Sequence, residues 1–266
     1  MTSPERPTLA VIGGSGFYEF LDDAETVEVE TPYGAPSAPV TIGEVGGRRV
    51  AFLPRHGKGH AQPPHKINVR ANIWALRSVG VRQVLAPCAV GGLQPHTQPG
   101  TLVVPDQLVD RTTSRIGTFV ETGAMHIPFA DPYCPQLRGS LLGAAPDAVD
   151  GGAMVVIEGP RFSTRAESQW YAAQGWSLVN MTGLPEAALA REMGLCYAAI
   201  ALVTDVDAGV SAEDESVSME AVFAMFAANI DRLKGLIGDA VAAAPPPGPC
   251  GCNTWMDGLE IPYELP

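Results

Sequence analysis

The feature that narrows the fold most is an alternation. Short apolar runs ending in glycine or polar residues take turns with segments whose apolar residues recur at helical spacing. Leu9 to Ile12 runs into Gly13-Gly14-Ser15-Gly16, and Val84 to Val90 runs into Gly91-Gly92. Each reads as a buried strand entering a tight turn. Ala153 to Ile157, Leu178 to Met181 and Tyr197 to Val203 read as three more buried strands. Helices are predicted between them over Thr164 to Ala173, capped by Ser163 or Thr164 with Glu167 in the first turn, and over Pro185 to Met193. A long amphipathic helix follows over Val217 to Ile237, with Met219, Val222, Phe223, Phe226, Ile230, Leu233 and Ile237 on one stripe. In the first half, Val40 to Val45 and Arg49 to Leu53 flank Gly46-Gly47 as a hairpin. Lys66 to Val79 is an amphipathic helix ended by Gly80, and Leu102 to Val104 is a short strand. Arg111 to Pro135 has no period and reads as a long loop with short pieces of structure. The class is α/β, a single-domain mixed β-sheet flanked by helices. No repeat and no second composition regime precedes Pro245. Residues 1–244 are therefore read as one domain and 245–266 as a Pro-rich linker and tail.

Charge excludes some partners. The net value of -12 argues against nucleic acid and anionic membrane, while leaving room for one locally positive pocket. No apolar run approaches the roughly 18 residues that a spanning helix needs. Met1 to Pro7 carries charge and two prolines rather than a signal peptide, so the expected compartment is the cytoplasm. The cysteines, Cys88, Cys134, Cys196, Cys250 and Cys252, are odd in number and scattered, unlike a secreted disulfide framework. Cys250-Gly-Cys252 reads most simply as two thiols on a mobile tail. A local disulfide is strained at this spacing. A metal site is least favoured, because no histidine or second cysteine pair lies nearby in sequence.

Four polar clusters follow predicted strands. Gly13-Gly14-Ser15-Gly16 can bring backbone amides and the Ser15 hydroxyl to an anion, but alone it is equally an ordinary turn. It is neither a Walker motif nor G-x-G-x-x-G, since Glu19 stands where the third glycine belongs. That failed fingerprint argues against a dinucleotide-binding oxidoreductase. Pro54-Arg55-His56-Gly57 offers a planar guanidinium fork and an imidazole suited to phosphate. Cys88-Ala89-Val90-Gly91-Gly92 can again present amides. Thr204-Asp205-Val206-Asp207 places two carboxylates at i and i+2, on one side of a strand. In an apolar pocket one of them can keep its proton near neutral pH and serve as a general acid. The plainer alternative is a solvated turn or helix cap. No metal triad is evident.

Taken in order, these segments resemble the trimeric purine nucleoside phosphorylase and methylthioadenosine phosphorylase family. The resemblance rests on Val11 to Gly16, Pro54 to Gly57, Asn72 to Leu76, Gln98 to Gly100, Asp106-Gln107 and Asp110 to Thr113. It continues through His126 to Pro128, Ile157 to Ser168, Asn180 to Thr182 and Thr204 to Asp207, covering about residues 9 to 237. It implies phosphorolysis of a nucleoside, inorganic phosphate as co-substrate with no further cofactor, and a homotrimer, with trimer against hexamer left open. Carried over by position, Ser15, Arg55, His56, Thr182 and the Ala89 amide look like phosphate ligands. Cys88 stands where the methylthioadenosine enzymes usually have threonine, and a thiol is the weaker donor. Phe162 looks like the residue on the purine, with Ser163 and Asn180 beside it. Met181 looks like the residue under the sugar, and His126 like one reaching a neighbouring subunit's nucleoside. Asp205 would donate to purine N7, with Asp207 accepting from an exocyclic amine and Val206 between them. Family members for 6-oxopurines place asparagine at the first aspartate's position, so Asp205 points to adenine. Met219, with Val222 and Phe223, stands where enzymes for ordinary nucleosides put a polar group, so the wall suits a methylthio substituent. The closest alternative is cleavage of inosine, guanosine or methylthioinosine. A binding module without turnover is the third reading. Leu259 or Leu265 of the tail is expected at the methylthio end of a neighbouring site.

Overall fold

The computed structural model describes residues 6–17, 20–210 and 217–266. The first five residues, part of the segment read as lacking a signal peptide, lie outside the described residues. Eleven strands form one sheet: β1 (Leu9–Gly13), β2 (Glu25–Val27), β3 (Val40–Val45), β4 (Arg48–Pro54), β5 (Gln83–Gly92), β6 (Leu102–Val104), β7 (Gln107–Arg111), β8 (Val149–Asp150), β9 (Ala153–Ile157), β10 (Leu178–Asn180) and β11 (Cys196–Val206). Among the described residues five helices pack on it: α1 (Val69–Ser78), α2 (Pro135–Ala144), α3 (Arg165–Ala173), α4 (Gly183–Glu192) and α5 (Met219–Ala243). The β3–β4 hairpin and the strands β6 and β9 occupy the segments the sequence pattern marks. Three strands (β2, β7 and β8) and α2 carry no clear periodic signal. In α2, Gly139, Ser140 and Gly143 dilute the pattern, and packing of Leu137 and Leu141 decides the helix.

Period-two alternation builds both cores. Along β11, Tyr197, Ala199, Ala201 and Val203 join the cluster that holds Trp74 and Leu76 of α1 and Ala187 and Ala190 of α4. The intervening Ala198, Ile200 and Leu202 join Leu137 of α2 and Phe226, Leu233 and Ile237 of α5. Both faces of the strand are buried, so its sequence is a continuous apolar run. A third cluster links β9, β10 and Tyr171 of α3. α3 starts with a full capping box, the Thr164 hydroxyl accepting from the Glu167 amide while Glu167 accepts from the Thr164 amide.

Strand divergence opens the site. On one edge β5 pairs with β11 along its whole length. On the other edge it pairs with β1 through Gln83, Val84 and Leu85, and with β10 only from Gly91. Pro87, which has no N–H to donate, lies in the gap. The turn after β1 and the ends of β10 and β11 surround that gap, the position where α/β sheets tend to bind ligands. The chain after α5 turns back rather than running free. Cys252 is buried, Trp255 Nε1 donates to the Arg191 carbonyl at 3.2 Å, and the Tyr263 hydroxyl donates to the Glu192 carbonyl at 2.5 Å.

Candidate active site

A cavity of about 300 Å³ fills the gap. Its wall brings together Ser15, Arg55, His56, Cys88, Ala89, Phe162, Ser163, Asn180, Met181, Thr182, Asp205, Asp207, Met219, Val222 and Phe223. These come from segments across the chain, and the sequence had proposed each of them. Four proposed residues are not in the wall. Val206 alternates with its acidic neighbours on β11 and is thereby turned away from the cavity. His126 is exposed and does not line this chain's cavity. Leu259 and Leu265 are exposed and are likewise absent from the wall.

The anion-binding end is built on close backbone approach. A Cβ on Gly14 would lie 2.9 Å from the Pro87 carbonyl and 3.1 Å from Arg55 Nη1, so only glycine fits between β5 and the guanidinium. Arg55 is buried and gripped by a residue with no advance signal, Glu186 of α4. Its Nε donates to Glu186 Oε2 at 2.6 Å and its Nη2 to Oε1 at 2.7 Å. The Tyr197 hydroxyl donates to the same Oε1 at 2.7 Å. Burial works against the Arg55 charge, but Glu186 more than offsets it and the guanidinium is held above its usual range. The pair is close to neutral overall, so it supplies oriented donors and rigidity more than bare charge.

His56 is neutral in the free site. Burial, then Arg55 and His60, lower it to about 3. Its Nδ1 lies 2.9 Å from the Gln62 carbonyl, which can only accept, so Nδ1 carries the proton. Nε2 is left to accept a hydrogen bond. Burial pushes the Cys88 thiol up to about 12, so it stays protonated. Asn180 acts on its neighbours: its carbonyl oxygen accepts from the Thr182 and Gly183 amides, both at 2.7 Å, and fixes the turn that carries Thr182.

The acidic pair sits at the end of β11, where its register against β5 shifts between Val203 and Asp205. A Cβ on Gly91 would lie 3.2 Å from Asp205 Oδ2 and 2.8 Å from Val179, so this glycine makes room for the carboxylates. Burial raises Asp205 to about 6, and Asp207 adds to the shift, against a 2.7 Å hydrogen bond from the Thr204 hydroxyl. Asp207 is also raised by burial, but the Ser168 hydroxyl, donating at 2.5 Å, holds it back. Two neighbouring carboxyls thus differ in environment, the arrangement that separates an acid from a hydrogen-bond acceptor. Neither Ser168 nor Thr204 carried a sequence signal for this support.

The remaining wall is aromatic and apolar. His60 stacks on His56, with ring centroids 4.0 Å apart, and meets Phe223 edge-on at 5.7 Å. Phe162 and Met219 stand partly open at the rim, 37% and 58% exposed. Their exposure leaves apolar surface for a ligand to cover.

A mixed sheet that parts around an anion-binding turn, with a buried carboxyl pair opposite, is the framework of a phosphorolytic enzyme. The chain belongs to the phosphorylase superfamily, whose family profile matches residues 8–242. It is 58% identical to the S-methyl-5′-thioadenosine phosphorylase of Mycobacterium tuberculosis, over 97% of each chain. It is 57% identical to the purine nucleoside phosphorylase of Streptomyces coelicolor, over the whole of both. Among solved structures it superposes on the methylthioadenosine phosphorylase of Schistosoma mansoni in complex with adenine, with TM-score 0.85 and 38% identity over 89% of this chain and 91% of that one. Among the described residues, no helix is long and apolar enough to cross a membrane.

Proposed function

We propose that this chain cleaves the N-glycosidic bond of S-methyl-5′-thioadenosine with inorganic phosphate, giving adenine and 5-methylthioribose 1-phosphate. The single observation that carries the base preference is the Asp205–Asp207 pair, with Asp205 raised to about 6 and so able to keep a proton far above the usual carboxylate range. As the C1′–N9 bond breaks, its electrons go to the purine and Asp205 gives its proton to N7. Asp207 accepts from the 6-amino group. A 6-oxopurine would set its carbonyl oxygen against the Asp207 carboxylate, an unpaired contact that costs selectivity strongly. Phosphate approaches the opposite face of C1′ from Ser15, Arg55, His56, Cys88, the Ala89 amide and Thr182. Phe162 covers the purine beside Ser163, and Met181 lies under the sugar. The protein contributes positioning, charge stabilisation and one proton, and needs no cofactor beyond the co-substrate.

The apolar Met219, Val222 and Phe223 wall supports a methylthio rather than a hydroxyl group at the 5′ end. A related enzyme, a variant of the Schistosoma mansoni adenosine/methylthioadenosine phosphorylase with TM-score 0.83 and 37% identity, has been solved with methylthioadenosine. The site is completed in a homotrimer, where His126 reaches a neighbouring nucleoside, and the enzyme works in the cytoplasm. The Streptomyces coelicolor relative favours a second reading, action on inosine, guanosine or methylthioinosine. Phosphate-dependent rates on methylthioadenosine, methylthioinosine, adenosine and inosine separate the two. The expected order has methylthioadenosine first, and a preference for inosine overturns it.

A further inference from the structure

The tail contradicts the expectation of two thiols on a mobile segment with no partner cysteines. The fold brings Cys134 and Cys196 to Cys250 and Cys252, and all four sulfurs lie within 4.8 Å of one another. Cys134 is the residue before α2, Cys196 opens β11, and the Cys134 amide donates to the Tyr197 carbonyl at 2.8 Å, so these two are fixed by main chain. The turn carrying the other two is clamped by Asn253, whose Oδ1 accepts from the Cys250 amide and whose Nδ2 donates to the Gly248 carbonyl. The sulfurs come from three separate parts of the chain, three of the four cysteines are buried, and Cys196 Sγ lies 3.2 Å from Cys250 Sγ.

We propose that these four cysteines form a structural zinc site, a closed tetrathiolate that fastens the tail to the start of β11. A zinc–sulfur bond of about 2.3 Å in a tetrahedron sets sulfurs roughly 3.8 Å apart, which falls between the 3.2 Å Cys196–Cys250 separation and the 4.8 Å outer limit of the cluster. A soft, four-sulfur set with tetrahedral spacing selects zinc over hard cations. Binding converts four thiols to thiolates and releases their protons, leaving two net negative charges on the centre. With four protein ligands no position stays open for substrate, so the role is structural. The cluster and Asp205 lie towards opposite ends of an 11-residue strand, about 30 Å apart at the usual strand rise.

The test uses the full chain, produced with zinc supplementation and purified under reducing conditions without chelator. Elemental analysis is expected to find about one zinc per chain that survives desalting. Cys250→Ser, the least buried of the four, is expected to lower this to below about one tenth, while Cys88→Ser retains it. Stripping the wild-type protein with a mercurial and chelator is expected to lower Tm and open residues 250–266 to protease, with phosphorolysis kcat unchanged. The readout is metal stoichiometry and is independent of which nucleoside is cleaved. Zinc-supplemented reduced protein that carries no zinc yet shows all five thiols on denaturation overturns the proposal. So does loss of thiols without added oxidant, which marks the cluster as disulfides.

Discussion

The two ends of β11 are both rich in titratable groups, yet they solve burial in opposite ways. At the amino end Cys196 sits among three other thiols, each facing another, so the group is closed on itself. At the carboxyl end Asp205 and Asp207 are buried beside a cavity and receive one hydroxyl donor each from Thr204 and Ser168. The first arrangement satisfies its polar atoms internally and suits stability. The second leaves carboxyl oxygens to be satisfied by a ligand, and holds a proton that water would have removed. The difference follows from the sheet. The start of β11 is covered by α2 and the returning tail, whereas its end lies just beyond the stretch of β5 that β1 and β10 leave unpaired.

The comparison can be broken at several points. The largest expected effect comes from Asp205→Asn, which should lower kcat/KM for methylthioadenosine by about 10²–10⁴-fold through loss of the acid, with a smaller loss for inosine. Equal losses for both bases would remove Asp205 from base selection. Next is Glu186→Ala, which leaves the buried Arg55 guanidinium uncompensated. Stability should fall by about 3–5 kcal/mol in chemical denaturation, with a raised KM for phosphate; a near-neutral variant would show that water already shields the guanidinium. The third probes Asp205 by pH. Because its carboxyl is raised to about 6, the acid form is lost as pH rises through that value. The kcat/KM profile should then fall about tenfold per pH unit above it, and this limb should vanish in Asp205→Asn. A raised carboxyl binds its proton more tightly folded than unfolded, so the stability that its protonated form gives is full below the ordinary carboxylate range and is lost as pH rises through the folded value of about 6. Asp205→Asn should accordingly raise Tm more at pH 8 than at pH 5.

Met219→His is a smaller change. It should shift preference from methylthioadenosine toward adenosine by about 10-fold, read as a ratio of kcat/KM values; an unchanged ratio would place the 5′ group elsewhere. The smallest effect expected is for Cys88→Thr. A hydroxyl in place of a thiol held at about 12 should strengthen one phosphate contact by about 0.5–1.5 kcal/mol, lowering KM for phosphate a few-fold. A rise in KM would mean that the Cys88 side chain packs against the core more than it faces phosphate.

Much of this site was legible because its parts lie at strand ends marked by glycine and polar residues. Ser15, Arg55, His56, Asp205 and Asp207 could be nominated for that reason, Thr182 only through the family resemblance, and all six line one cavity. Val206 was nominated with them and is turned aside, since alternation along β11 gives adjacent residues opposite faces. Glu186, Ser168 and His60 could not be singled out. Each looks like an ordinary helix or turn residue until the fold sets it beside Arg55, Asp207 or His56; Thr204, named with the carboxylates, shows its role only through its hydrogen bond to Asp205. α2 was missed because its glycines dilute any stripe, and the α5 face against which it packs is remote in sequence.

Local chemistry in the sequence by itself determined the alternating α/β class, the hairpin, the capped start of α3 and the residue types able to bind phosphate and move a proton. These depend on side-chain periodicity and turn geometry within a few residues. Only the tertiary structure decided which carboxyl is raised, what holds Arg55, and that Cys134 and Cys196 meet Cys250 and Cys252. Those outcomes depend on burial and on pairs separated by tens of residues, and no local pattern encodes the distance between them.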